Sequence, residues 1–120
     1  MINKTIIETL ANEESDQIIL DIEGIRRQYT FLQDSLPNTQ IRFAIKACPN
    51  DEILTALAQK GAGFDAASPN EIIAAIKSGA NLQNIHYGNT IKSNEQISLA
   101  FKLGIKDFVT DSKENLYAIS

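Results

Sequence analysis

The sequence predicts an α/β protein built on parallel βα repeats, and three observations carry that expectation. Short apolar runs recur from Ile41 onward with a period of roughly twenty residues, the sign of a repeated supersecondary unit. Each run leads into a helix-start signal, and the first three of the helices so begun end at Gly61, Gly79 and Gly104. Apolar residues inside the helical stretches recur at three- and four-residue spacing, as an amphipathic helix against a sheet requires. Strands alternating with helices of this length mean a parallel sheet.

Taken in order, Met1 to Asp16 is polar, acidic and weakly periodic, and is expected to form a helix or arm. Gln17-Ile18-Ile19-Leu20-Asp21 is a short apolar run with polar borders, expected as a strand. Ile22, Ile25, Tyr29, Leu32 and Leu36 then make one helical stripe, which Pro37-Asn38 terminates. The repeated strands are Ile41 to Ile45, Gly63 to Ala67, Ile85 to Gly88 and Asp107 to Thr110. Ser68-Pro69-Asn70-Glu71 reads as a capping box with proline at the first helical position, and Ser93-Asn94-Glu95-Gln96 as a second box. Asn50-Asp51-Glu52 and Asp111-Ser112-Lys113-Glu114 offer cap oxygens and first-turn carboxylates. Five strands fit either a small doubly wound five-stranded sheet or part of a (β/α) barrel, and periodicity alone does not separate the two.

Composition narrows the function classes. The chain has 120 residues, 43% hydrophobic and 22% charged, which is globular rather than disordered. That length suits one hydrophobic core, and a complete eight-stranded barrel of about 250 residues does not fit it. A net charge of −4 offers no basic footprint for nucleic acid or an anionic membrane. One cysteine excludes an internal disulfide, so a reducing cytoplasmic setting is expected. The N-terminus has no apolar core for a signal peptide, and no run approaches the ~20 apolar residues that span a bilayer.

In α/β architectures of this kind, ligand groups gather at the carboxyl ends of the strands. Those positions hold Lys46, Asp65 to Ser68, Asn89 and Asp111. Lys46 is expected on the strand face opposite Phe43 and Ile45, where partial desolvation would make its amine a nucleophile for a carbonyl. It could equally be a lysine reaching out to solvent at a strand end. Asp65 sits in a small apolar run and wants a cation, for which Lys46 on the adjoining strand is the candidate. Glu71, Asn89 and Asp111 each have plain structural roles available as capping or turn residues. His86 has no second histidine or cysteine beside it, so no metal site is expected, and a satisfied interior histidine is the simpler reading. Cys48 is a possible thiol but more simply a small buried side chain. Gly61-Ala62-Gly63 does not complete a phosphate-binding glycine loop.

Together these segments resemble the start of the pyridoxal-phosphate decarboxylases with an alanine-racemase-type barrel, the ornithine/lysine decarboxylase group in particular. Phe43-Ala44-Ile45-Lys46-Ala47-Cys48-Pro49 resembles that family's cofactor-lysine strand. Gly63-Phe64-Asp65-Ala66-Ala67-Ser68 with Glu71-Ile72 resembles its Gly-Phe-Asp-Cys-Ala-Ser…Glu-Ile segment. Ile85-His86-Tyr87-Gly88-Asn89 with Lys92 resembles its Tyr-Ala-Asn-Pro-Cys-Lys strand end, and Thr110-Asp111-Ser112 with Leu116 its Phe-Asp-Ser…Leu segment. Two positions depart from the pattern: Lys46-Ala47-Cys48-Pro49 stands for Lys-Cys-Asn-Pro, and Asn89-Thr90-Ile91-Lys92 for Asn-Pro-Cys-Lys.

The resemblance implies that residues 22–120 are the N-terminal portion of a barrel that binds pyridoxal 5'-phosphate. Residues 1–21 would be an arm and strand packing with a second domain. It implies that Lys46 bears the cofactor as a Schiff base, that Asp65 and Glu71 are active-site carboxylates with Asp65 touching the cofactor, and that Asn89 lies at the rim. It further implies a small amino-acid substrate, a role in polyamine synthesis, a cytoplasmic homodimer, and later segments supplying the phosphate site and substrate contacts. On that account 120 residues are not the whole working enzyme. Three other readings stand beside it: a non-catalytic homologue that regulates by binding proteins, a diaminopimelate decarboxylase or racemase, and a small doubly wound signalling domain. Asp21 and Glu23 are a poor acid pair for the last.

Overall fold

The computed structural model describes residues 4–11, 16 and 18–120. Helix α1 (Lys4–Leu10) precedes helix α2 (Ile22–Ser35). Four βα units follow: β1 (Arg42–Ala44) with α3 (Asp51–Gln59), β2 (Gly63–Ala66) with α4 (Pro69–Lys77), β3 (Ile85–Tyr87) with α5 (Asn94–Lys102), and β4 (Asp107–Phe108) with α6 (Lys113–Ile119). All strands are parallel, in the spatial order β1-β2-β3-β4. A doubly wound sheet reverses its strand order at a switch point, and this one does not. The order is that of a barrel wall.

The sheet is also curled. Arg42 on β1 donates to Asp107 on β4 at 2.9 Å, although three strand spacings separate them. On a flat sheet that is about 14 Å, and side chains stand away from the surface rather than along it. A concave sheet brings the two ends together. Gly63 on β2 leaves the way open, because a Cβ there would lie 2.8 Å from Arg42 Cγ.

The local signals explain the helices. Asn50 accepts from the Glu52 and Ile53 amides, and Ser93 and Gln96 form the reciprocal box. Gly61, Gly79 and Gly104 follow their helices with φ of 79°, 88° and 94°, the left-handed conformation that glycine adopts without a Cβ penalty. Helices cover the convex face, where Phe64, Ala66, Ile72, Ile85 and Tyr87 are fully buried with Ile45 and Leu54. Each large side chain there contributes about 1.5–3 kcal/mol by leaving water.

Several expectations need correction. Ile18, Ile19 and Leu20 form no strand; Ile18 is 92% exposed, and the sheet has four strands rather than five. An apolar run becomes a strand only where another edge completes its ladder. Gln17 lies outside the described residues, as do 1–3 and 12–15 of the expected N-terminal arm. The first repeated strand stops at Ala44 and turns into a 3-10 turn over Ile45–Ala47. At the last helix the cap is Ser112, not Asp111, because the Ser112 hydroxyl accepts from the Asn115 amide.

Candidate functional site at the carboxyl ends of the strands

Alternation along the strands divides their residues between two faces. The register places Ala44 beside Asp65, Asp65 beside His86, and His86 beside Asp107, so these four share the concave face. Phe43, Phe64 and Ile85 share the helix-covered one. The concave face is therefore polar in layers. Arg42–Asp107 lies toward its amino end, Asp65–His86 above it, and Gly88 and Lys46 where the strands finish.

Lys46 stands in the 3-10 turn directly after β1, at the predicted end of the strand. It is exposed rather than desolvated among small residues, because the turn lifts it off the strand before alternation places it on the sheet. The basic group beside Asp65 is the His86 imidazole and not Lys46: His86 Nδ1 lies 3.5 Å from Asp65 Oδ1. That distance leaves the oxygen without a hydrogen bond, and Oδ1 is nevertheless buried. Its burial comes partly from Gly88, since a Cβ at that position would fall 1.8 Å from Oδ1. A buried carboxylate oxygen with no donor is costly and marks a place for a ligand.

Glu71 caps in an unexpected direction. The Ser68 hydroxyl accepts from the Glu71 amide as in a box, but the Glu71 carboxylate reaches past Ser68 and accepts from the Ala67 amide at 2.7 Å. It thereby fixes the backbone just beyond β2. Asn89 braces the same point, with Nδ2 donating to the Ala67 carbonyl at 3.1 Å and Oδ1 accepting from the Ile91 amide. The loops after β2 and β3 are tied together at their mouths.

Lys92 and Tyr87 are features that reasoning from residue types alone does not find. Lys92 is only 8% exposed, and its ammonium lies 5.6 Å from the centre of the Tyr87 ring. Burial lowers its pKa, an effect that the charge of Asp111 opposes. Tyr87 packs against Phe108 at 5.9 Å between ring centres, with its hydroxyl buried and unpartnered. Burial, and then the charge of Glu71, raises the phenol's pKa. The clue to His86 as the partner of Asp65 was the strand register, which places the two side by side on one face. Cys48 is half-buried and unpaired. Among the described residues no cluster of histidine, cysteine or carboxylate side chains is arranged for a metal ion, and no helix is long and apolar enough to cross a membrane.

The groups present suit pyridoxal phosphate. An exposed primary amine at the end of β1 can take an aldehyde, and the undonated carboxylate oxygen of Asp65 can take a proton donor or a cation. Gly88, having no Cβ, lets the Asp65 carboxylate lie directly against its backbone.

The family model described as pyridoxal-dependent decarboxylase, pyridoxal binding domain, matches residues 22–120. The chain is 27% identical over 108 residues to ornithine decarboxylase of Neurospora crassa, covering 90% of this chain and 22% of that protein. It is 26% identical over 111 residues to lysine/ornithine decarboxylase of Selenomonas ruminantium, covering 92% of this chain and 28% of the relative. Among solved structures, the lysine/ornithine decarboxylase of Vibrio vulnificus complexed with putrescine superposes with a TM-score of 0.86 at 27% identity, over 95% of this chain and 31% of that one. Diaminopimelate decarboxylase of Helicobacter pylori complexed with L-lysine gives 0.85 at 27% identity, over 95% and 29%. The chain thus spans between about a fifth and a third of the length of these relatives.

Proposed function

Since the chain belongs to the pyridoxal-dependent decarboxylase family through its pyridoxal-binding domain, we propose that it is the lysine-bearing part of an enzyme that decarboxylates a basic amino acid of the ornithine or lysine type. The observation that carries this reading is an exposed Lys46 in the turn after β1, while the adjoining strand β2 carries an Asp65 oxygen with no hydrogen-bond donor. When bound, pyridoxal phosphate supplies an electron sink for the electron pair left as carbon dioxide departs. Lys46 would be the amine that holds the cofactor. Asp65, lying against Gly88, would offer its carboxylate to a cationic or proton-bearing group of cofactor or substrate. Glu71 holds the Ala67 amide and keeps the loop after β2 in place, with its negative charge at the mouth. Asn89 forms the rim on the β3 side.

The relatives' names support ornithine or lysine as substrate, and the Helicobacter structure keeps diaminopimelate as the rival. The exposed Ile18-Ile19-Leu20 segment supports a second domain packing on residues 1–21. We further propose a homodimer in the cytoplasm for the full enzyme. Borohydride reduction of the cofactor-loaded protein, followed by peptide mapping, should place the label on Lys46. Label on any other lysine overturns the assignment. Comparing ornithine, lysine and diaminopimelate as substrates separates the two substrate classes.

A further inference from the structure

Among the described residues Lys92 is the one charged side chain in the buried set, and the chemistry proposed above leaves it unused. Its ammonium donates to the Asn89 carbonyl at 2.6 Å, the Val109 carbonyl at 2.6 Å and the Asn115 side-chain oxygen at 2.9 Å. An ammonium has three donors, and all three are used on oxygens without formal charge. Those acceptors come from the loop after β3, the residue just after β4 and the first turn of α6. Removing an ion from water costs several kcal/mol, and an apolar side chain of similar volume is often as stabilising. Stability alone therefore gives little reason for a lysine here. Its geometry gives one: Lys92 grips the Asn89 backbone, the Asn89 side chain holds the Ala67 carbonyl, and the Ala67 amide is held by Glu71.

We propose that Lys92 is a positioning residue, the root of a hydrogen-bonded chain that sets Ala67 and Glu71 at the mouth of the site by way of Asn89. The inference rests on the proposed decarboxylase reading for its consequence in catalysis, but the chain of bonds can be tested without it. The ammonium also lies over the Tyr87 ring, 5.6 Å from its centre, a cation–π contact beside the three hydrogen bonds.

The test uses the full-length protein, with Lys92→Met, Asn89→Ala and the double variant, and reads amide hydrogen exchange in the peptides covering residues 64–72 and 42–48. Losing a charge-assisted bond should raise exchange at Ala67 by about tenfold or more, with residues 42–48 unchanged. The double variant should be no worse than the more affected single one, because both cut the same chain. The same variants should weaken pyridoxal phosphate binding, followed by its absorbance, by a comparable factor. Unchanged exchange at Ala67 in either single variant overturns the proposal. A uniform rise across both peptides in Lys92→Met assigns the lysine to the fold as a whole and also overturns it, whereas Asn89→Ala still reads the link to Ala67 directly. Loss of label at Lys46 in the wild-type protein would sink the decarboxylase reading and leave the exchange result standing.

Discussion

The two faces of one sheet differ as two proteins might. On the convex side Phe64, Ala66, Ile85 and Tyr87 are fully buried under helices. On the concave side Arg42, Asp65, His86 and Asp107 come from the same strands, one residue out of phase. A two-residue period assigns cohesion to one face and chemistry to the other. Mutations should accordingly separate folding from function by parity along a strand.

The sharpest break of that comparison is Lys46→Ala. Turnover and reducible label should vanish, while stability in urea stays within about 0.5 kcal/mol of wild type because the side chain is exposed. Phe64→Ala is its mirror image. Emptying a fully buried position should lower unfolding free energy by about 3–5 kcal/mol in the same measurement, without altering which lysine is labelled.

Gly88→Ala tests the boundary between the faces. The added methyl would press on Asp65 Oδ1, so cofactor affinity should fall, with about 1–3 kcal/mol lost to overpacking. Unaltered affinity would mean that Asp65 does not meet the cofactor. Arg42→Ala removes the bridge across the concave face. Both partners are partly exposed, so it should cost no more than about 1 kcal/mol in chemical denaturation.

The smallest effect is a pH dependence. Burial holds the Lys92 pKa below its ordinary 10.5, so between those two values the unfolded chain binds more protons than the folded one. Stability carried by this group should therefore rise with pH through that window and level off above 10.5. Lys92→Met should lack the rise when the denaturation series is compared with wild type.

Much of the fold was legible because its signals are local. A serine or asparagine cap, a helical stripe and a left-handed glycine each act within one or two turns, and Asn50, Ser68, Ser93, Gly61, Gly79 and Gly104 behave as their types demand. Lys46, Asp65 and Asn89 were expected at or near strand ends, and Glu71 in the first turn of the helix after β2, from equally local signals. The contacts among them were not legible, and the expected Lys46–Asp65 pair gave way to Asp65–His86. Nor was the failure of Ile18 to Leu20 to form a strand, which depends on a partner edge rather than on composition.

The sequence by itself determined a chain of parallel βα units whose strand ends carry a lysine, two carboxylates and an asparagine. Tertiary structure alone decided that the four strands run in order and curl, closely enough for Arg42 to reach Asp107. It alone buried Lys92 among oxygens from three different segments. The physical reason is range. Capping and periodicity are settled by residues a few positions apart, whereas curvature and the burial of a charge depend on groups that only the folded chain brings together.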